Sequence, residues 1–311
     1  MNSKDLIQAF GFNVDQEQES IYPFSPVYKV DDFIIKRTQF PIKQANQFVR
    51  YLNHLHDHGV PVVTPVNLDG SNPLQIADEC YVCYPFIDGS EYKGIKKEIK
   101  QAGKLLGKIH SLASRDNTYE LEEYDVFDFY GNEVDEHIAE IEKLNSQYES
   151  GLNIDRLKEI FSEAVTKQDY LKNAPITWVE TPHDYKANNL VYKENPVLID
   201  PDHAKWIPRT FDLALALLLF HNEFSSAPNR LFTLEEWRVF LEGYHQYQSL
   251  TEAELKVWDE AVVHVFLDEV MWILAEEDDW AREEQRELLM SLVDFIFDFK
   301  VYSDVLNKSF V

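Results

Sequence analysis

Three short stretches near the start of the chain, residues 22–30, 32–38 and 79–86, are rich in β-branched and aromatic residues and predict strands. Between the second and third, Ala45, Phe48, Leu52 and Leu55 recur at helical spacing, which predicts a helix over 42–58 with one apolar face. Gly59 then falls where helices commonly turn left-handed. Residues 60–65 (Val-Pro-Val-Val-Thr-Pro) read as extended, and Asp88-Gly89 as a turn. Residues 1–20 read as a short helix and a polar link. Past residue 90 the period becomes helical. Residues 97–113 carry Ala102, Leu105, Leu106 and Ile109 on one face; 127–146 and 154–171 are amphipathic. Residues 211–221 are apolar nearly all round and belong at the centre of the fold. Residues 234–247 and 252–298 supply the remaining helices. One extended interruption breaks this half: an apolar segment at 176–179, then a hairpin of 190–192 and 197–199 about the turn 193–196. The pattern predicts an α+β fold in two unequal parts, a strand-rich 1–86 and a helical 87–311.

Composition changes this picture little. With 311 residues and 14% aromatics the chain can bury one large core or two moderate ones. A net charge of −26 disfavours nucleic acid held by a basic patch. No apolar run is long enough to span a bilayer, and the start, Met1-Asn-Ser-Lys-Asp, does not read as a secretion signal; a cytoplasmic protein, monomeric or homodimeric, is expected. The two cysteines, Cys80 and Cys83, lie three apart on a predicted strand. They therefore face opposite sides and do not chelate a metal together.

The chemistry concentrates between residues 184 and 202. Asp184 is followed five residues later by Asn189, then by the hairpin, then by Ile199-Asp200-Pro201-Asp202. An Asp, an Asn on the same loop and a second Asp at the end of the next strand form the catalytic-loop and metal-loop spacing of the kinase fold. The first Asp takes or orients the proton of an attacking hydroxyl, and the other two offer hard oxygen donors. A turn merely rich in Asp and Asn is the bland alternative. A rival class is a metal hydrolase using His183, Asp184, Asp200, Asp202 and His203.

From about residue 20 to 300 the chain resembles the aminoglycoside phosphotransferase and choline kinase superfamily, which has a bilobal protein-kinase-like fold. The motifs are Asp32-Phe-Ile-Ile-Lys36-Arg37, Leu55-His-Asp-His-Gly-Val-Pro-Val, Tyr84-Pro-Phe-Ile-Asp-Gly89, Leu106-Gly-Lys-Ile-His110, the Asp184–Asn189 loop, Ile199-Asp-Pro-Asp202 and Arg209-Thr-Phe-Asp212-Leu-Ala214. The resemblance implies an ATP- and Mg²⁺-dependent kinase acting on a hydroxyl of a small molecule: an aminoglycoside, a choline-like amine, homoserine or a sugar. A stress-response type of Ser/Thr protein kinase and a catalytically weak nucleotide-binding scaffold are the alternatives. It further implies Lys36 on the nucleotide phosphates, Tyr84, Phe86 and Ile87 along the adenine, Asp184 as base, and Asn189 and Asp200 as metal ligands. Asp212 is implied as structural, hydrogen-bonding the catalytic loop; an Asp capping the start of the 211–221 helix is an equally simple reading. Two departures stand out. No acidic residue lies between Phe33 and His56 to pair with Lys36, so Gln47 is expected to meet it instead; and the phosphate-covering turn, 21–27, lacks glycine, so Ser25 is expected to contribute a hydroxyl. Asp202, Glu269, Trp272 and Glu276 are expected to form the acceptor wall, where carboxylates beside aromatic rings suit a cation.

Overall fold

Alternation along the second strand explains how the N-terminal sheet works. The computed structural model describes residues 2–22 and 25–303. In it four antiparallel strands stand in the order β1 (Val27–Val30), β2 (Phe33–Thr38), β4 (Glu79–Pro85) and β3 (Leu74–Ile76). Ile35 pairs with Cys83, and Lys36 with Val82. Successive residues point to opposite faces, so Ile35 and Cys83 share one face while Lys36 shares the other with Tyr84 and Cys80. The first face is closed by the helix α1 (Ser3–Ala9), whose Leu6 and Ile7 pack with Phe10, Val30, Ile35, Tyr81 and Cys83. The second face turns toward the rest of the protein. Both thiols are buried, one on each side, as the spacing requires.

The helix α2 (Ile42–Asp57) buries Phe48, Tyr51, Leu52 and Leu55 in the main core, and Ala45 on the same helix is buried too. Gly59 ends it at φ +73°, with Val60 N–H donating to Leu55 O, the left-handed termination expected from sequence. At Gly89 a side chain would run into the neighbouring hairpin, 2.5 Å from Val191 Cγ1, so the chain passes here only as glycine.

In the helical half, α3 (Lys96–Leu112) and α7 (Leu234–Tyr244) approach so closely that added Cβ atoms at Gly103 and Gly243 would each lie 2.0 Å from a carbonyl oxygen of the other helix. The helices α4 (Gly131–Gln147) and α5 (Ile154–Lys172) pack on each other. The helix α6 (Arg209–Leu219) is buried along its whole length, as its uniformly apolar sequence predicts.

Several boundaries differ from the sequence reading. The first strand starts at Val27 rather than residue 22, and Pro23 and Phe24 of the expected phosphate turn lie outside the described residues. Strand β3 was not anticipated. Nor was β8 (Lys205–Pro208), which pairs antiparallel with β5 (Trp178–Thr181). The expected helices over 252–298 are short segments: α8 (Glu252–Lys256), α9 (Trp258–Val265), a π-turn (Phe266–Val270), α10 (Met271–Ala275), α11 (Glu277–Ala281) and α12 (Glu283–Phe297). No helix among the described residues is long and apolar enough to cross a membrane.

Candidate active site

Two antiparallel pairings bring the distant motifs together. The loop 182–189 links β5 to β6 (Leu190–Tyr192); the loop 199–204 links β7 (Pro196–Leu198) to β8. Because β5 pairs with β8 and β6 with β7, both loops open at the same end. Ile199 N–H donates to Asn189 O at 2.9 Å, which sets Asp200 beside Asn189. The sheet then supplies Lys36 from the opposite side. Its Nζ lies 2.5 Å from Asp200 Oδ1 and 2.9 Å from Asp202 Oδ2. Burial works against the ammonium charge, yet Asp202 and Asp200 more than offset it and raise the lysine above its ordinary value.

The loop that carries Asp184 is unusual in its backbone. His183 and Asp184 both take positive φ, +53° and +42°, before a 3₁₀ turn at Ala187–Asn189. Asn189 holds the loop: its Nδ2 donates to Asp184 O at 2.8 Å and lies 3.3 Å from Asp184 Oδ2. With that nitrogen committed, the remaining side-chain donor atom of Asn189 is its carbonyl oxygen, the type a hard cation takes. Asp184 itself is partly exposed and pairs with Lys186 at 3.1 Å; Lys186 also reaches Glu223 at 3.3 Å. The sequence reading missed Lys186. A lysine two residues after the Asp, inside an otherwise acidic and amide-rich loop, was the available signal.

Asp212 does not cap its helix. Its Oδ2 accepts from His110 Nε2 at 2.8 Å and from Thr181 Oγ1 at 3.0 Å, and Tyr244 OH lies 2.9 Å from His110 Nδ1. The network ties α3, α6 and α7 to the end of β5, immediately before the catalytic loop. Next to it, the buried pair Arg209–Glu254 fastens the start of α6 to α8.

Three expected placements need correction. Gln47 does not meet Lys36: its amide donates to Glu120, on the flank of α2 away from the lysine. Lys36 takes its carboxylate partners from the metal loop instead. Asp202 is buried beneath Lys36, with Tyr84 OH 3.4 Å from its Oδ1, and so stands with the strand lysine rather than with Glu269. The turn before β1 is closed by Ser20, whose hydroxyl donates to Tyr22 O at 2.7 Å and accepts from Val27 N–H at 3.0 Å; Ser25 contributes its carbonyl oxygen to that turn. Along the expected adenine segment, Phe86 N–H already donates to Asp32 O at 2.7 Å, and Ile87 packs on the main core.

Of the proposed acceptor wall, Glu269 lies closest to the catalytic loop. It accepts from Tyr124 OH at 2.8 Å, and the Tyr124 ring packs on His183 with centroids 4.8 Å apart. Trp272 is half-exposed and meets the His137 ring at 4.2 Å. Glu276 is exposed at the break between α10 and α11 and acts electrostatically on Asp279, as does Glu223. No cluster of three or more His, Cys, Asp and Glu side chains among the described residues is arranged to hold a metal, so the hydrolase arrangement is not assembled.

A strand-rich region with a buried lysine, facing a hairpin that carries Asp184, Asn189 and Asp200 on a helical base, defines a bilobal kinase fold. The profile of the phosphotransferase enzyme family matches residues 24–258, and the chain belongs to that family and is a phosphotransferase. Solved structures agree on the fold. A spectinomycin phosphotransferase in complex with ADP and spectinomycin is 17% identical, with a TM-score of 0.61, over 99% of this chain and 96% of its own. An amicoumacin kinase bound to AMP-PNP, Ca²⁺ and its antibiotic is 16% identical, with a TM-score of 0.60, over 88% and 84%. A choline/ethanolamine kinase family protein from Mesorhizobium loti is 13% identical, with a TM-score of 0.55, over 94% and 91%. No curated protein sequence matches the chain.

Proposed function

We propose that the protein transfers the γ-phosphoryl group of ATP to a hydroxyl of a small, cationic molecule, with Mg²⁺ as the metal. The observation that carries this reading is the convergence of Lys36, Asp184, Asn189 and Asp200 from three separate stretches of chain onto one opening. The oxygen donors of Asn189 and Asp200 fit a small hard cation that keeps some of its waters, and the Asp200 carboxylate, paired with Lys36, is half-exposed. Bound there, such a cation would neutralise phosphate charge.

The chain's own residues do the rest. Lys36 offers a buried positive charge to the nucleotide phosphates, exchanging its carboxylate partners for them. Asp184 accepts the proton of the acceptor hydroxyl, and the Asn189 amide fixes its backbone for that task. Lys186, beside Asp184, places a second ammonium where negative charge builds up as the phosphoryl group moves. Tyr84, Phe86 and Ile87 border the purine. In this reading residues 1–86 serve as the nucleotide lobe and 87–311 as the catalytic and acceptor lobe, in a cytoplasmic enzyme. The relatives named above that act on or bind amine-bearing or antibiotic molecules support a small-molecule acceptor. Glu223, which shares Lys186 with Asp184, and Glu269, which acts on His183 next to Asp184, support a cationic one.

The test is ADP release from ATP and Mg²⁺ across a panel of hydroxylated amines, sugars and antibiotics. At least one member should raise ADP above the ATP-only rate. Nucleotide binding with no ADP from any member would leave only the scaffold.

A further inference from the structure

A cavity of about 310 Å³ lies at the turn end of the catalytic hairpin, bounded by Asn195 and Pro196, the end of α2 and one side of α3. Its charge is unlike that of the rest of the chain. The sequence holds 55 acidic residues against 29 lysines and arginines. Yet two lysines, Lys104 and Lys108, line this cavity, and no carboxylate among the described residues does. The reason lies in how α3 meets α7. Lys96 and Lys100 pair with Glu235 and Glu242 across the helix contact, at 3.0 and 2.9 Å. One turn further along α3, α7 has ended, and Lys104 stands over the Tyr247 ring at 5.9 Å instead. Lys108 donates to Gly59 O, a neutral acceptor. Neither ammonium meets a carboxylate among the described residues.

We propose that this cavity is a second small-molecule site, separate from the active site, which takes a phosphate monoester on a small apolar body. Like charges four residues apart on a helix are neighbours, roughly 5–6 Å between Cβ atoms, and they repel until an anion joins them. A phosphate monoester concentrates nearly two negative charges in one group at neutral pH and so answers both ammonium ions at once. The amide beside them is a donor too. Gln101 Nε2 donates to Glu194 O at 2.7 Å and lies 3.3 Å from Asn195 Oδ1, which engages that oxygen and leaves the Asn195 amide N–H groups for a ligand. Pro61, Leu105, Pro196 and the half-exposed Tyr247 ring supply apolar surface for the body of the molecule. The volume lies at the lower end of the range for small-molecule pockets. The site is also distinct in place. Asn189 and Asp200 sit at the other end of the hairpin, roughly 10 Å away along strands of three residues. The proposal does not depend on the phosphotransferase reading.

The test is titration calorimetry of the full chain at low salt and about pH 8, where a phosphate monoester is a dianion. The probes are phenyl phosphate, benzoate and benzyl alcohol. Phenyl phosphate should bind saturably, benzoate about threefold or more weakly because it brings one charge, and the alcohol not at all. Lys104→Gln changes an exposed helix position and should weaken phenyl phosphate by about threefold, within the worth of an exposed ion pair. Lys104→Gln combined with Lys108→Gln should weaken it by about tenfold. Lys100→Gln removes a lysine of the same helix that is already paired outside the cavity, and should leave the affinity unchanged. Thermal unfolding checks that each variant is folded; if the double variant is not, Lys104→Gln against Lys100→Gln decides alone. No saturable binding of phenyl phosphate overturns the site. So does an equal loss in Lys100→Gln and Lys104→Gln, which would mean general surface charge only. Binding lost in Lys36→Met and kept in Lys104→Gln would place the probe at the active site and overturn it as well.

Discussion

Replacing Lys36 by Met removes the ammonium that pairs with Asp200 and Asp202, while keeping most of the side-chain volume. The two carboxylates are not equivalent. Asp200 has a side chain that is 47% exposed and can rehydrate, whereas Asp202 is 8% exposed and cannot. Only the second counts fully. Breaking a buried ion pair by deleting one partner costs about 3–5 kcal/mol, so the lower end, about 3 kcal/mol, is expected here. At about 2 °C per kcal/mol for a large single chain, Tm should drop by about 6 °C. A divalent cation can take over part of the ammonium's role between the same oxygens. With 10 mM Mg²⁺ and a weak affinity of about 1 mM, mass action returns about 1.4 kcal/mol, or about 3 °C. Wild-type protein should gain less, because Lys36 competes for the carboxylates. The assay is thermal unfolding of both proteins with and without MgCl₂, at matched ionic strength. A variant as stable as wild type, or one stabilised by Mg²⁺ no more than wild type, would refute the geometry assigned to this loop.

Two further outcomes follow from other parts of the molecule. Asp268 has its pKa raised to about 8 in the folded state, against about 4 when unfolded, so the folded protein holds the extra proton between those values. Its contribution must therefore weaken stability as pH rises from about 4 to about 8; Asp268→Asn should flatten the fall of Tm with pH over that window, and an unchanged profile would disprove the assignment. Gly243→Ala places a Cβ 2.0 Å from Lys100 O between α3 and α7, and should cost about 1–3 kcal/mol in urea unfolding. A loss below about 0.5 kcal/mol would mean the helices part without cost.

Strands β1, β2 and β4 and the catalytic hairpin were legible because their signals are local. Alternation in Phe33–Thr38 puts Lys36 on one face, and the Asp184–Asn189 spacing lies within a single loop. What failed depended on distant partners or on helix phase. β8 is four residues long and is a strand only because β5 lies beside it. Gln47 falls near the expected position in sequence. The apolar stripe of Phe48, Leu52 and Leu55, however, rotates α2 so that Gln47 and Tyr51 look toward residues 119–120 rather than toward the sheet. Asp202 reads as a companion of the acceptor wall. Only the closure of the metal loop onto β2 shows that it lies under Lys36. The breaks at Glu276 and Arg282 carry neither Gly nor Pro and leave no mark in the sequence.

The central claim is that Asp184 is the base of a phosphoryl transfer. The most direct measurement compares wild type with Asp184→Asn, following phosphorylated acceptor by ³¹P NMR and AMP-PNP binding by calorimetry. The account predicts a fall in transfer of about 10²–10⁴-fold, the usual worth of a general base, with nucleotide affinity within about twofold of wild type. Transfer that persists in Asp184→Asn at the wild-type rate would contradict it.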